Sequence, residues 1–349
     1  VEPQALAALG VDAVVGTGEK QQIPTLLESA ATGVRVGDAA SLRDFSLAPV
    51  KRFGGRARAF LKVQDGCACF CAYCVVPYAR GPSRSLPLAE VRAGLERLRE
   101  AGHREVVLTG VHLGLWGRDL APLQTFGALL DAAERAGIPR VRLSSLEPGE
   151  LTEDVISRLE ASGILCPHLH VPLQSGSDRV LEAMGRPYDV TEFRRRVEAA
   201  LAAVPGLCVG LDVIAGFPGE DDGAFGETLA LLEALPLAYL HVFPYSPRRG
   251  TRAAELGNRV PEPVVKERAR RLRELSRKKR KVFEQKQLGS AMLALPEGWA
   301  APDLLTVRTR NYIEVRIPWQ EPIPDGELAV RLDRLDREGV VGHAATGGE

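Results

Sequence analysis

From Phe60 to Ser246, short β-branched and apolar runs alternate with longer segments whose apolar residues return every three or four positions. The short runs are "FLKVQ", "EVVLTGV", "RVRLSS", "HLHVPL", "VGLDVIAG" and "LAYLHVF". Between the first two lies "LAEVRAGLERLREAG", with Leu88, Val91, Leu95 and Leu98 spaced along one helix face. Gly102 and Gly137 follow two of the helical patterns, where a left-handed cap is expected. Six strand–helix repeats predict an α/β fold with right-handed crossovers and a parallel sheet, open or curled into a partial barrel. In such sheets the chemistry gathers beyond the C-terminal ends of the strands. The residues least easily explained by packing lie there. They are the cysteines after the first run, then "TGVH", "SSLEP", "QSGS", "GFPGE" and "PYSPR" after the next five.

The flanks read differently. Residues 261–287 form one helical pattern opening at Pro261, and from Lys266 to Lys286 eleven Lys or Arg stand against three Glu, a local net of +8. After Gly289, "TVRTRNYIEVRIP" and "ELAVRLDRL" alternate polar and apolar positions between Pro and Gly breaks, the texture of a small all-β module. Before Phe60, "VDAVVGTG" and a short helical stretch read as a lone strand–helix unit. It has too little sequence to close a core, so we expect it to be the tail of a domain that begins upstream. The expected organisation is a remnant N-terminal α/β unit over 1–50, a core over 51–260, a basic linking helix over 261–288 and a β-module over 289–349.

Composition narrows the class. The chain has 349 residues, 45% hydrophobic and 26% charged, with formal net charge zero. Affinity for nucleic acid must therefore come from local clustering of charge. No apolar run approaches the length that spans a bilayer, and the stretch from Leu229 to Phe243 is broken by Glu233 and His241. We expect no membrane association. Four of the six cysteines fall between Cys67 and Cys74, too close to pair without strain. Clustered thiols in a reducing compartment bind metal or do chemistry, so the cytoplasm is the expected location.

Cys67, Cys71 and Cys74 are spaced C-x3-C-x2-C, with Cys69 inside the first gap. Structural zinc wants four ligands, and no second pair of cysteines exists. A dithiol redox reading of Cys71 and Cys74 leaves Cys67 unexplained. Cys166 and Cys208 stand alone beside strand patterns and read as small buried hydrophobes. Three thiolates can instead hold three irons of a cubic iron–sulfur cluster and leave the fourth open to chelate an amine and a carboxylate.

This spacing resembles the radical S-adenosylmethionine superfamily, with Tyr73 as the aromatic residue before its third cysteine. The wider stretches "KVQDGCACFCAYCVVPYARG", "VVLTGVHLG", "RLSSLEP", "HLHVPLQSGSD", "GLDVIAGFPGE" and "HVFPYSPRRGT" resemble its methylthiotransferase branch. Within the branch the likeness is greatest to enzymes acting on N6-threonylcarbamoyladenosine beside the tRNA anticodon. Isopentenyladenosine-directed relatives come second, and those acting on a ribosomal-protein aspartate third. The resemblance implies a partial (β/α)6 barrel and a 4Fe-4S cluster on Cys67, Cys71 and Cys74. It also implies an S-adenosylmethionine site. There Tyr73, Thr109, Gly110 and Val111 lie toward the methionine end, Gln174 and Ser175 reach the ribose, and Val213, Ile214 and Gly216 flank the adenine. Glu147 either binds a substrate or caps the next helix. The branch usually carries three upstream cysteines for a second cluster, which is expected in the full-length protein, and no cysteine precedes Cys67 here.

The C-terminal part resembles the TRAM-like RNA-binding β-module of the branch. Lys278, Lys279 and Arg280 on the basic helix, with Arg308, Arg310, Asn311 and Tyr312, are the expected tRNA contacts, suited to phosphates and base stacking. External electron and sulfur donors are further implied partners. The competing class is a non-catalytic iron–sulfur protein that binds RNA or senses redox state. It would need no nucleoside pocket, and the polar residues after the second, fourth and fifth strands argue against it.

Overall fold

The computed structural model describes residues 2–45 and 57–345. The expected boundary between residues 50 and 51 and the last residues of the β-module, 346–349, lie outside the described residues.

At the N-terminus, strands β1 (Ala13–Val15) and β2 (Gly33–Arg35) pair in parallel. Val14 is buried, but Leu9, Val11 and Leu27 stay exposed. Strand β3 (Arg58–Lys62) leads into a ribbon of β4 (Gln64–Asp65) and β5 (Arg84–Ser85), paired antiparallel. The remaining runs form β6 (Glu105–Thr109), β7 (Arg140–Leu143), β8 (His168–Gln174), β9 (Cys208–Ala215) and β10 (Tyr239–Pro244). All six expected core strands are present, and Gly102 and Gly137 take the expected left-handed conformation at φ 85° and 71°.

The core strands form two parallel triplets, β3-β6-β7 and β8-β9-β10, in chain order. A single bridge between Val141 and Leu165, and the Leu146 N–H donating to the His170 carbonyl at 3.0 Å, join β7 to β8. Alternate residues such as Leu61, Leu108, Val141, Val171 and Leu211 face the helices and form the main apolar core. The other face is polar. Arg58, Glu105, Arg140, Arg142, His168, Asp212 and Tyr239 alternate with those core residues and line a common interior. No helix is long and apolar enough to cross a membrane among the described residues.

The helix Glu262–Lys286 buries Val265, Ala269 and Leu272. The Ser276 hydroxyl takes the Leu240 N–H at 2.8 Å and donates to the Leu240 carbonyl at 3.1 Å, occupying polar groups on the outer strand β10. Beyond it, β11 (Ala291–Ala301), β12 (Leu304–Thr309), β13 (Glu314–Pro318), β14 (Leu328–Leu335) and β15 (Val340–Ala344) close a five-stranded barrel. Phe283, Leu305, Val307, Ile317, Val330 and Leu332 fill it, and the cluster extends to Cys208 and Ala238 of the core.

The turn between β12 and β13 corrects one expectation. Arg308, Arg310, Asn311 and Tyr312 do not form an open RNA face; they seat the module against the N-terminal ends of the core strands. Arg140, fully buried, donates to the Arg308 and Thr309 carbonyls at 3.0 and 3.1 Å and pairs with buried Glu105 at 2.7 Å. Arg142 donates to the Arg310 carbonyl at 3.1 Å. The Arg310 side chain pairs with Glu327, Arg308 pairs with Glu297 and Glu314, and Asn311 Nδ2 donates to the Gly206 carbonyl at 3.2 Å. The Tyr312 ring lies 4.5 Å from His168 and 6.3 Å from Tyr239, with the Arg58 and Arg142 guanidiniums over it at 5.8 and 4.9 Å. One ring thus meets side chains from β3, β7, β8 and β10, so the two triplets curl around a shared interior whose floor it fills.

Candidate active site

The β4–β5 ribbon brackets the cysteine loop. Gly66 has φ 73°, and a Cβ there would run into the Pro82 carbonyl, so only glycine fits. Cys67 N–H donates to the Gly81 carbonyl at 3.0 Å, and Ala72 N–H to the Met184 carbonyl at 2.8 Å. Buried Gln64 ties this loop to the next strand end. Its Nε2 donates to the Gly66 carbonyl at 2.8 Å and to Ser83 Oγ at 2.9 Å, and its Oε1 accepts the His112 N–H at 2.8 Å. Burial alone would raise the Asp65 carboxyl, but Lys62, the Gly66 N–H and Arg80 hold it below its ordinary value.

All four thiols gather beyond β3. Cys71 is buried, Cys67 and Cys74 are half-buried, and Cys69 is exposed. Cys67 Sγ lies 3.8 Å and Cys69 Sγ 3.3 Å from His112 Nδ1. Hydrogen bonding with Cys69 outweighs burial and, with His112, draws the Cys67 thiol down to about 4. The same contact pushes Cys69 up, and burial pushes Cys74 up. His112 would be lowered by burial, but Cys67 and Glu150, 2.7 Å from its Nε2, raise it to about 10. On the other side, Arg186 Nη1 donates to Cys71 Sγ at 3.2 Å, and Arg186 also pairs with Glu147. Its guanidinium sits 4.9 Å over the Tyr188 ring, whose hydroxyl is anchored on the Pro172 carbonyl at 2.8 Å. Tyr73 is largely enclosed beside this pair, and burial raises its phenol.

Cys67, Cys71 and Cys74 are thus soft donors on one rigid loop flanked by two charged pairs, a donor set that fits an iron–sulfur cluster. Cys69, left outside the expected set, also converges with Cys67 and His112, their ligand atoms lying within 4.8 Å of one another. Gln64, His112 and Arg186 were not singled out from the sequence. His112 was within reach, since "TGVH" was already marked as a strand end. Arg186 lies in "MGRPY" after a short helix and carries no local signal.

The remaining expected cofactor residues divide. Thr109 ends β6 and Gly110 and Val111 follow it next to Gln64, with Val111 exposed and Gly110 N–H donating to Ser144 Oγ at 3.3 Å. Gln174 ends β8 at φ 67°, a left-handed conformation that is costly for a residue with a Cβ. Ile214 packs with Ala72 and Phe217 beneath the cysteine loop. Three assignments are corrected. The Ser175 side chain is buried in its own turn, where its hydroxyl meets Thr228 Oγ1 at 3.4 Å and takes the Ser177 N–H at 3.3 Å. Val213 belongs to the apolar core on the helix side of the sheet. Gly216 is required by packing, because a Cβ at its φ of 80° would strike the Val265 side chain of the long helix.

Below the strand ends, the interior wall of the second triplet carries a polar chain. Tyr239 Oη lies 2.8 Å from His168 Nε2 and 3.3 Å from His170 Nδ1. His170 Nε2 and His241 Nδ1 both approach Asp212 Oδ1, at 2.8 and 3.5 Å. Burial would raise the Asp212 carboxyl, but the two imidazoles bring it down to about 2.

The basic helix is less open than its composition implies. Arg268 is buried against Glu220 and Asp222, and Arg270 pairs with Glu267 and Glu274. Two of the expected RNA contacts are taken: Lys279 donates to the Glu233 and Leu235 carbonyls, and Arg280 pairs with Glu284 and donates to the Tyr312 carbonyl. Lys278 is exposed, as are Arg273, Arg277 and Lys281, which form one row at four-residue spacing. These four have no ion-pair partner among the described residues.

The profile of the Radical SAM superfamily matches residues 61–232. The threonylcarbamoyladenosine tRNA methylthiotransferase MtaB of Aquifex aeolicus is 38% identical over 324 residues, covering 90% of this chain and 77% of the relative. The protein of that name in Thermotoga maritima is 33% identical over 344 residues, covering 98% and 78%. The tRNA-2-methylthio-N(6)-dimethylallyladenosine synthase of Moorella thermoacetica is 33% identical over 331 residues, covering 93% and 74%.

Proposed function

We propose that this chain, which belongs to the tRNA methylthiotransferases of the radical S-adenosylmethionine superfamily, adds a methylthio group to C2 of N6-threonylcarbamoyladenosine at position 37 of tRNA, beside the anticodon. One observation carries the residue-level reading. Three C-x3-C-x2-C thiols lie at the end of the first core strand, and one of them, Cys71, touches Arg186 of the half-buried Arg186–Glu147 pair. Cys67, Cys71 and Cys74 would hold a 4Fe-4S cluster; when bound, it supplies the electron for reductive cleavage of S-adenosylmethionine. An amino-acid zwitterion matches the adjacent pair, ammonium to Glu147 and carboxylate to Arg186. Tyr73, Thr109, Gly110 and Val111 would line the methionine end, Gln174 the ribose and Ile214 the adenine.

The six core strands are read as one partial (β/α)6 barrel over 51–260, flanked by the 1–50 unit, the linking helix 261–288 and a TRAM-like module over 289–349. Lys278, with Arg273, Arg277 and Lys281, would meet tRNA phosphates. Electron and sulfur donors are external, and the setting is the cytoplasm.

The test is anaerobic turnover of the cluster-loaded protein with S-adenosylmethionine, a reductant, a sulfur source and threonylcarbamoylated tRNA. Release of 5′-deoxyadenosine that stops in Cys67→Ala, Cys71→Ala and Cys74→Ala but continues in Cys69→Ala supports the ligand set. No cleavage by the parent protein, or cleavage that survives Cys71→Ala, overturns it.

A further inference from the structure

The wall formed by His170, Asp212 and His241 is not used by the cofactor reading, and it lies one layer below the cofactor level. Residues on the same face of a strand repeat roughly every 6.6 Å. Asp212 therefore sits about that far below Ile214, and the register pairs Asp212 with His241 and Ile214 with Phe243. The upper layer is apolar and the lower layer polar. In an adenosine whose C2 faces the cofactor level, ordinary bond lengths put N6 about 3.5 Å from C2 and the atoms beyond it roughly 4–8 Å away. That is the depth of the lower layer.

We infer that Asp212 and His241 are the residues that recognise the threonylcarbamoyl group and distinguish it from an apolar N6 substituent. The inference rests on the function proposed above and deepens it. Both imidazoles approach Asp212 through Oδ1, and the Asp212 side chain is 22% exposed, which leaves its other carboxylate edge room for a further donor. A ureido N–H can donate to Oδ2. His241 is held by its Nδ1, and its side chain is 56% exposed, which leaves the Nε2 edge open to the hydroxyl or carboxylate of the threonyl group. His170 is 9% exposed and locked between Asp212 and Tyr239, so it orients the carboxylate and has no free edge for a ligand. An isopentenyl group in the same place makes none of these bonds and strips water from an ionised oxygen. Sites built to bond a polar group reject analogues lacking it more strongly than apolar pockets reject a polar one.

The experiment measures binding, so it does not depend on turnover. Anticodon stem-loops carrying threonylcarbamoyladenosine, isopentenyladenosine or adenosine at position 37 are titrated against the full chain, loaded with cluster and S-adenosylmethionine. The parent should bind the first at least about 10-fold more tightly than the other two. His241→Phe and Asp212→Asn should each shrink that preference to within about twofold, while iron content and affinity for the unmodified loop stay constant. A parent that prefers the isopentenyl loop overturns the proposed function itself. A parent with the expected preference, retained in both variants, overturns only this inference. The same residues can also be read as a two-histidine, one-carboxylate cation site. Stoichiometric Co²⁺ binding by the cluster-loaded parent that disappears in His241→Phe would establish that reading and overturn ours.

Discussion

Arg140→Met should loosen the hold between the C-terminal module and the core. Arg140 and Glu105 are both fully buried, and the guanidinium also carries the Arg308 and Thr309 carbonyls at 3.0 and 3.1 Å. Each charged hydrogen bond to a carbonyl contributes about 1.5–3 kcal/mol net. Removing one partner of a buried ion pair costs about 3–5 kcal/mol when the other charge is left alone. Here Glu105 keeps Arg58 and Arg142 at 2.8 and 3.1 Å, so most of that second penalty is avoided. Methionine recovers part of the packing. A net loss of about 3–4 kcal/mol in docking follows, roughly a 10²–10³-fold shift toward the undocked form. Hydrogen exchange at the amides of Thr309 and Ile313, with proteolysis near Gly289, reads this directly. A double-mutant cycle with Glu105→Gln should give a coupling of about 1–3 kcal/mol. Exchange within about threefold of the parent, with no new cleavage, would refute the argument that this arginine holds the seam.

Four other outcomes are expected. Cys71→Ala should lose most iron and all cofactor cleavage while Cys69→Ala retains both, read by iron assay and 5′-deoxyadenosine chromatography; a cluster lost in Cys69→Ala but kept in Cys67→Ala would reverse the ligand assignment. Arg186→Met should raise the KM for S-adenosylmethionine at least about 10-fold, as expected for a lost charged contact to a carboxylate, and Arg186→Lys should recover only part. Arg273→Glu, Arg277→Glu and Lys281→Glu together should flatten the log-affinity against log-salt slope for tRNA by about 2–3, whereas Arg308→Gln should leave it unchanged. Burial would raise the Glu105 carboxyl, but Arg142, Arg140 and Arg58 hold it at about 2. A carboxyl depressed in the folded state stabilises above its unfolded value, so melting temperature should fall as pH drops from about 4.5 toward 2, and less steeply in Glu105→Gln.

The core strands and their parallel pairing were legible because each is a separate apolar run punctuated by a helical period. The gathering of the thiols on one loop beyond the first core strand was legible because they are clustered within eight positions of the sequence. Arg186 escaped, since its value comes from a fold that brings residue 186 beside residue 71, a separation no local pattern records. The segment from Arg308 to Tyr312 misled for the opposite reason. Two arginines, an asparagine and a tyrosine are the vocabulary of RNA contact, and equally of a buried polar seam that satisfies carbonyls at strand ends. Only the position of Arg140 and Arg142, 168 residues away, decides between them. Val213 was misread through the period-two alternation of its strand, which turns neighbouring residues to opposite faces.

The thin joint between β7 and β8 gives the core a mechanical character. Within each triplet the ladders are continuous, so each behaves as a stiff half-shell. Between them stand few backbone bonds, and among the described residues β3 and β10 share no ladder across the far side. The half-shells are nevertheless fastened at one end: the β12–β13 turn grips Arg142 of the first while Asn311 and Tyr312 engage Gly206 and His168 of the second. A hinge anchored at its base converts a small rotation into a larger displacement at the opposite lip. That lip carries the cysteines and is itself tied across the two halves, by the Ala72 N–H on the Met184 carbonyl and by Arg186 between Cys71 and Glu147, so any relative rotation of the half-shells is felt first in the contacts around the cysteine loop.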